Sequence, residues 1–174
     1  MSEYTELYGF TSDQTISFFA GRLREEVSDK QSSEAESSEA EMVYVASILA
    51  HFAQTSRSDA TYMSSPGSLC DVFDAFVFRG SDEVLVQDPE ILEIAGTHVL
   101  FLAGFFRDQM QKKHNLEWYD FIGGSFFGGA SARLQKEKRA ALLRGVAANF
   151  NFWAVSCRNL SRTLRDERYL LRLD

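Results

Sequence analysis

The sequence predicts an all-α fold: a single-domain orthogonal or up-down bundle of five to six helices around a buried central helix at about residues 88–113. Three observations predict this class. Apolar side chains recur at helical spacing in several segments. The chain has only two prolines and few runs of β-branched residues, which favours helices over strands. The stretch from Asp88 to His114 is apolar around most of its circumference, as expected of a helix surrounded by others.

Length and composition indicate one globular domain, residues 1–174. A chain of 174 residues with 45% hydrophobic and 13% aromatic side chains is long enough to bury most of its apolar surface. The two cysteines, Cys70 and Cys157, lack the spacing of a disulfide framework. The chain opens with acidic residues where a secretory signal has basic ones, so the expected location is cytoplasmic.

The first predicted helix runs from about Ser12 to Val27. Thr11 and Gln14 are spaced as a capping box at its start, and its apolar residues form one face. The ten residues before it are expected to form an ordered strap. Residues 28–40 are rich in Ser and Glu and hold no apolar side chain larger than Ala, which indicates an acidic linker. An acidic contact segment or a phosphorylation tract is the alternative.

The second predicted helix runs from about Glu39 to Gln54 and has a wide apolar face. Ser38 and Glu41 form another capping box at its start. His51 lies at the edge of the apolar face and is expected to be structural. A polar loop, a short helix at about residues 66–80 and a connector are predicted before the central helix.

The predicted central helix begins with Asp88 as the N-cap and Pro89 at the first helical position. Its apolar run of thirteen residues is shorter than the roughly 20 that a membrane span needs, so no span is predicted. A continuous wheel places a polar stripe on one side, made of Glu90, Glu93, Thr97, Gly104, Asp108 and Gln111. His98 lies on the apolar side, where a core histidine is favoured over a metal, haem or acid–base group.

Residues 117–135 combine four glycines with aromatic side chains. Gly124, Gly128 and Ala132 recur every four residues, which gives a helix a flat strip where another backbone comes close. The strip predicts close packing on the central helix, with a dimer seam or a pocket for a flat apolar ligand as alternatives. The residues expected to line such a pocket are His98, Phe105, Trp118, Phe126 and Trp153.

The stretch Leu100–Phe106 (LFLAGFF), followed by the pair Trp118–Tyr119 and by paired glycines, resembles a group of uncharacterised bacterial helical proteins. In that group an LFLxGFF-like helix precedes an aromatic pair and a Gly-rich helix. Trp118 and Phe127 depart from the pattern, which has Tyr at both positions. The resemblance covers about residues 99–131. It implies a helical bacterial protein and carries no activity and no catalytic residues.

The last predicted helix runs from Lys136 to Leu164 or beyond, with apolar residues three and four apart. Charge is uneven, since residues 1–131 carry 8 basic and 21 acidic side chains, whereas residues 132–174 carry 10 and 4. A line of arginines lies opposite the apolar stripe: Arg144, Arg158, Arg162 and Arg165. Such a face can bind nucleic-acid phosphates, but the net charge of −7 favours a solvated face or one that docks on the acidic remainder of the chain.

The sequence contains no catalytic, metal-binding or cofactor motif, and no cofactor is predicted. No histidine has Glu three positions before it, as di-iron bundles require, and HExxH, CxxC and GxSxG are absent. Cys157 lies on an apolar stripe, where thiols are usually inert. The sequence therefore predicts a non-catalytic protein that works through protein–protein contacts, including self-association. Binding of a small apolar ligand and nucleic-acid binding through the arginine face are the alternatives.

Overall fold

The computed structural model describes residues 12–28, 38–55 and 87–166, which are helical with short connections. The elements run in the order α1 (Ser12–Ser28), α2 (Glu39–Thr55), α3 (Pro89–Leu100), a π-helical turn (Phe101–Phe105), α4 (Arg107–Met110), α5 (Leu116–Arg133), α6 (Glu137–Ala148) and α7 (Phe150–Asp166). These ranges contain no strand, and the predicted all-α class is confirmed.

The bounds of the first two helices agree with the prediction to within one residue. Their apolar faces and polar flanks are local signals, which explains the agreement. The other predictions for this half of the chain are the strap, the first capping box, the linker, the polar loop, the short helix and the connector. They fall mainly on residues 1–11, 29–37 and 56–86, outside the described residues.

α3 and the π turn that follows it pack mainly against different helices. α3 packs against α5, and the π turn packs against α7. The largest fully buried side chains of the core are Trp153, Phe126, Phe127, Leu23, Leu92, Leu100, Ile122, Leu143 and Leu160. Burial of apolar surface, worth about 25 cal/mol per Å², is the main term that stabilises such a core.

The helix caps on either side of the central segment are formed by side-chain oxygens. The Asp88 carboxylate accepts a hydrogen bond from the Glu90 amide at 2.9 Å, and Pro89 occupies the first helical position, as predicted. Asn115 caps the start of α5. Its side-chain oxygen accepts hydrogen bonds from the amides of Glu117 and Trp118 at 3.1 and 3.4 Å.

The central segment is not the continuous α-helix that its sequence predicts. Phe101–Phe105 form a π-helical turn, and Phe106 then leaves helical geometry with φ −101° and ψ 19°. A π turn closes hydrogen bonds over one more residue than an α-helix does, which rotates the residues that follow. Gly104, which a continuous wheel places on the polar stripe, is therefore buried against Cys157 and Ala154 of α7.

Replacing Gly104 by Ala should lower the free energy of unfolding by about 2 kcal/mol. The added Cβ would lie 2.9 Å from the Cβ of Cys157 and 3.3 Å from the carbonyl oxygen of Ala154, so α7 would have to move. Gly21→Ala is the control, because its Cβ would lie within 4 Å of no neighbouring atom in the described parts of the chain. It should be neutral or stabilising by up to about 1 kcal/mol. Urea denaturation measures both variants, and equal stabilities would contradict tight packing at Gly104.

The predicted last helix is divided into two. α6 ends at Ala148 and α7 begins at Phe150, and Asn149 between them has φ −103° and ψ 20°. The apolar spacing nevertheless marks buried side chains in both halves, namely Leu143, Val146, Phe150, Trp153, Cys157 and Leu160. α6 packs mainly on α5, whereas α7 packs mainly on the π turn. Because the two halves have different packing partners, a single straight helix does not satisfy both.

Candidate functional site

The outer face of α5 is uncharged from Trp118 to Ala132 and carries large exposed rings. Phe121 is 67% exposed and Trp118 is 37% exposed. Ser125 and Ala132 lie on the same side of the helix, because they follow Phe121 at intervals of four and eleven residues. The solvent-facing side of a helix usually carries charged residues, so this face is an exception.

The exposed Glu117, one helical turn before Phe121, lies at the start of this face, and from Trp118 to Ala132 the face carries no charged side chain. The one charged residue between positions 118 and 132 is Asp120. Its carboxylate accepts two hydrogen bonds of 2.9 Å from the Arg107 guanidinium, on the inner side of the helix. Arg133, at the end of α5, donates to the Gly129 carbonyl oxygen at 2.9 Å. The face therefore extends without charge over about four helical turns.

The predicted strip of small residues packs inside the chain, but on α6 rather than on the central helix. A Cβ at Gly124 would lie 3.3 Å from the Ala147 carbonyl oxygen, and one at Gly128 would lie 3.9 Å from the Ala147 methyl group. The reason is that residues 134–136 connect α5 to α6 so shortly that the two helices pack as neighbours. The dimer seam stays a prediction, and Ala132 is its exposed member.

Close packing on the central segment does occur, at Gly96 of α3. A Cβ there would lie 3.1 Å from ring atoms of Phe127, which belongs to α5. In the same way, a Cβ at Gly123 would overlap the Phe150 ring of α7. The glycines of α3 and α5 thus accommodate aromatic rings between the helices.

The five residues predicted to line an apolar ligand pocket have different surroundings. Phe126 and Trp153 are fully buried in the core. Trp118 is exposed on α5, whereas Phe105 stacks on the Phe101 ring of the π turn. A pocket of about 80 Å³ does reach Trp153, but none of the other four residues lines it.

The fifth pocket residue, His98, makes its contacts within the protein. Its Nδ1 lies 2.8 Å from the Ile94 carbonyl oxygen, and its ring makes an edge-to-face contact with the Phe52 ring.

Burial raises the pKa of the Cys157 thiol to about 12, which keeps it protonated and unreactive. Within the part of the chain that the structure describes, no group of three or more His, Cys, Asp and Glu side chains is placed to hold a metal ion.

Two arginines of the predicted basic face bind an acid of the central segment. Arg162 donates two hydrogen bonds to Asp108, at 2.7 and 2.8 Å, and Arg165 adds one of 3.1 Å to the same carboxylate. The pKa of Asp108 is lowered from its ordinary value, chiefly by the hydrogen bond from Arg162. Arg144 lies on α6 and pairs with Glu137 of its own helix at 3.6 Å.

Arg158 adds to the positive field at Asp108, and its Nε is buried without a hydrogen-bond partner among the described residues. The interpretation that the face docks on the acidic remainder of the chain therefore describes Arg162 and Arg165. The prediction of one continuous line of arginines was wrong. The interruption at Asn149 places Arg144 on α6, whereas the other three arginines lie on α7.

Sequence reasoning missed a buried carboxylate at the junction of α6 and α7. Glu41, predicted as half of a capping box, turns into the core and is only 5% exposed. Its Oε2 accepts hydrogen bonds from the Trp153 indole at 2.9 Å and from the Asn149 amide at 3.1 Å. The Ser38 hydroxyl still caps the Glu41 amide at 3.1 Å. The available signal was the position of Glu41 one helical turn before the apolar Val45, on the inner side of α2.

Comparison with known proteins found no matching protein family, no matching curated protein and no matching solved structure. Among the described helices, none is long and apolar enough to cross a membrane. The clues to function are therefore the surfaces of the chain itself.

Proposed function

We propose that the chain is a non-catalytic, cytosolic helical protein that acts through protein–protein contacts made by the outer face of α5. One observation carries this proposal: Phe121 is 67% exposed on a helix face that has no charged side chain from Trp118 to Ala132. Single exposed apolar residues are common on protein surfaces, but contiguous apolar patches mark interaction sites. Enrichment in aromatic residues and depletion of charge are also typical of interface centres.

The proposed partner is a second copy of the chain, because the face is complementary to itself. In an antiparallel crossing of two α5 helices with the two-fold axis at Ser125, each Phe121 faces Gly129 of the other copy. Trp118 then faces Ala132, because both pairs are evenly spaced about Ser125. Each large ring thus meets a small residue, which is the self-complementarity that a two-fold interface requires.

The proposed dimer is weak. From Trp118 to Ala132 the face is about 22 Å long and about 10 Å wide, given the rise and diameter of an α-helix. This strip covers roughly 200 Å² per copy, against about 800 Å² per partner in a standard stable interface. Flanking residues must add contacts, and we expect a dissociation constant of roughly micromolar or weaker.

In a chain with Cys70 replaced by Ser, Ser125→Cys should form a disulfide-linked dimer on mild oxidation. The two new thiols meet at the proposed two-fold axis, whereas the native thiol of Cys157 is buried. Adding Phe121→Glu should abolish the cross-link, because the seam would bury an unpaired charge. Electrophoresis without reductant measures the fraction of dimer.

Two control variants test whether the cross-link is specific to the proposed interface. Asp13→Cys, exposed on α1, measures the cross-linking that random collisions produce. Val43→Glu introduces the same charge at another exposed apolar side chain, which is 42% exposed on α2, and should leave the Ser125→Cys dimer intact. A Ser125→Cys dimer fraction no higher than that of Asp13→Cys would overturn the proposal that α5 binds a second copy.

A further inference from the structure

A groove of about 300 Å³ is lined by residues of α2 and α3 and by Arg139 of α6. None of its lining residues belongs to α5. Small-molecule sites typically have volumes of about 300–1,000 Å³, so the groove is at the lower end of that range. Its lining combines aliphatic and aromatic side chains of α2 with two carboxylates of α3, those of Glu90 and Glu93.

The Glu93 carboxylate is already engaged within the protein. It accepts a hydrogen bond of 2.6 Å from the Tyr44 hydroxyl and two of 2.7 and 2.8 Å from Arg139. Burial, and then the hydrogen bond to Glu93, raise the pKa of Tyr44 far above its ordinary value, so the hydroxyl stays protonated and donates. The hydrogen bond to Glu93 likewise raises the pKa of Arg139, and the two opposite charges offset each other.

Besides His51, which also lines the groove, three polar groups remain, and they offer negative charge and hydrogen-bond acceptors. Glu90 is exposed, and its carboxylate has no hydrogen bond or ion pair with any described residue. The Ser47 hydroxyl donates to the Tyr44 carbonyl oxygen at 2.6 Å, and the Thr97 hydroxyl donates to the Ile94 carbonyl oxygen at 2.8 Å. A hydroxyl has one proton, so both of these can offer a ligand only their lone pairs.

We propose that this groove binds an organic cation, a protonated amine on an apolar body. An ammonium group supplies three N–H donors and a positive charge, which complement the Glu90 carboxylate and the two hydroxyl oxygens. The apolar body packs on Ile48, Phe52 and Ile94, which line the same groove. The site is separate from the outer face of α5 and does not depend on the function proposed for that face.

Three probes with one body and different charges test the sign of the ligand: 2-phenylethylamine, 2-phenylethanol and phenylacetate. Isothermal titration calorimetry at neutral pH should show binding of the amine and about tenfold weaker binding of the alcohol, because only the amine forms charge-assisted hydrogen bonds. Phenylacetate should not bind. Tighter binding of phenylacetate than of the amine would overturn the proposal, since the groove would then be an anion site at Arg139.

Glu90→Gln should weaken binding of 2-phenylethylamine about threefold, the effect of losing one exposed ion pair. Glu117→Gln is the matched control, because Glu117 is likewise an exposed acid in the first turn of a helix, α5. It should leave the affinity unchanged. Circular dichroism confirms that both variants fold, and equal affinity of the wild-type chain and Glu90→Gln would contradict the assignment of the cation to this groove.

A free amine and a lysine side chain of another protein share the proposed chemistry, and a second pair of probes separates them. Nα-acetyl-lysine amide and its Nε-acetylated form differ only in the charge of the side chain. Tighter binding of the lysine derivative than of 2-phenylethylamine assigns the cation to a protein partner, and the reverse order assigns it to a free amine. Unchanged binding after Nε-acetylation would overturn the proposal in either form.

Discussion

Replacing Asp120 by Ala should lower the free energy of unfolding by about 3–5 kcal/mol, because it removes one partner of a buried ion pair. The Arg107 and Asp120 side chains are only 10% and 14% exposed. Arg107 donates to both carboxylate oxygens at 2.9 Å and to the Ala103 carbonyl oxygen at 3.0 Å. Without Asp120 the guanidinium stays charged, and the Asn151 amide loses the acceptor that lies 2.8 Å from it.

Urea denaturation followed by circular dichroism measures this loss. Asp13→Ala, which removes an exposed acid of α1, is the control and should cost less than about 1 kcal/mol. The double replacement Arg107→Met with Asp120→Leu should recover most of the stability, because an apolar pair has no charge to desolvate. A double replacement as unstable as Asp120→Ala would show that an unpaired charge is not the cause.

Trp153→Phe should lower the free energy of unfolding by about 2–4 kcal/mol, although it keeps an aromatic ring in the core. Trp153 is fully buried, and its indole N–H donates to the Glu41 carboxylate at 2.9 Å. Phenylalanine has no such donor, so the buried carboxylate keeps the Asn149 amide, at 3.1 Å, as its side-chain donor among the described residues. The missing second ring also leaves a cavity, which adds to the loss.

The other tryptophan of the chain provides the matched control. Trp118 is 37% exposed, and Trp118→Phe should change stability by no more than about 0.5 kcal/mol. Both variants can be measured by urea denaturation with circular dichroism at the same protein concentration. Equal losses in the two would mean that the hydrogen bond between Trp153 and Glu41 does not contribute to stability.

Short-range patterns located most of the helices. Apolar spacing predicted α1 and α2 to within one residue, and Asp88 with Pro89 predicted the start of α3. These signals depend on side chains one to four residues apart, so they can be read without knowledge of the fold. The same spacing identified the buried side chains of α6 and α7.

Interruptions of the helices depend on contacts between distant residues, and sequence patterns did not reveal them. The π turn brings Gly104 against α7, and Asn149 donates to Glu41, which lies 108 positions earlier in the chain. A wheel of 100° per residue assumes a continuous helix. It therefore assigned Gly104 to the polar stripe and Arg144 to the same face as Arg162, and both assignments were wrong.

The candidate site was partly predictable. The spacing of Gly124, Gly128 and Ala132 marked α5 as a contact helix, but it did not show that α6 packs against the two glycines. Phe121 was missed as a surface residue, although it stands on the same wheel face as Ala132 and no charge lies between them. The groove combines side chains of α2, α3 and α6, so a local pattern could not indicate it.

Sedimentation equilibrium of the unmodified chain, over a wide range of concentrations, tests self-association through α5 most directly. We expect the average mass to rise from that of one chain toward that of two as the concentration passes through the micromolar range. The Phe121→Glu variant should keep the mass of one chain throughout. An unmodified chain that stays monomeric at every concentration would contradict the account, and so would a dimer that Phe121→Glu leaves intact.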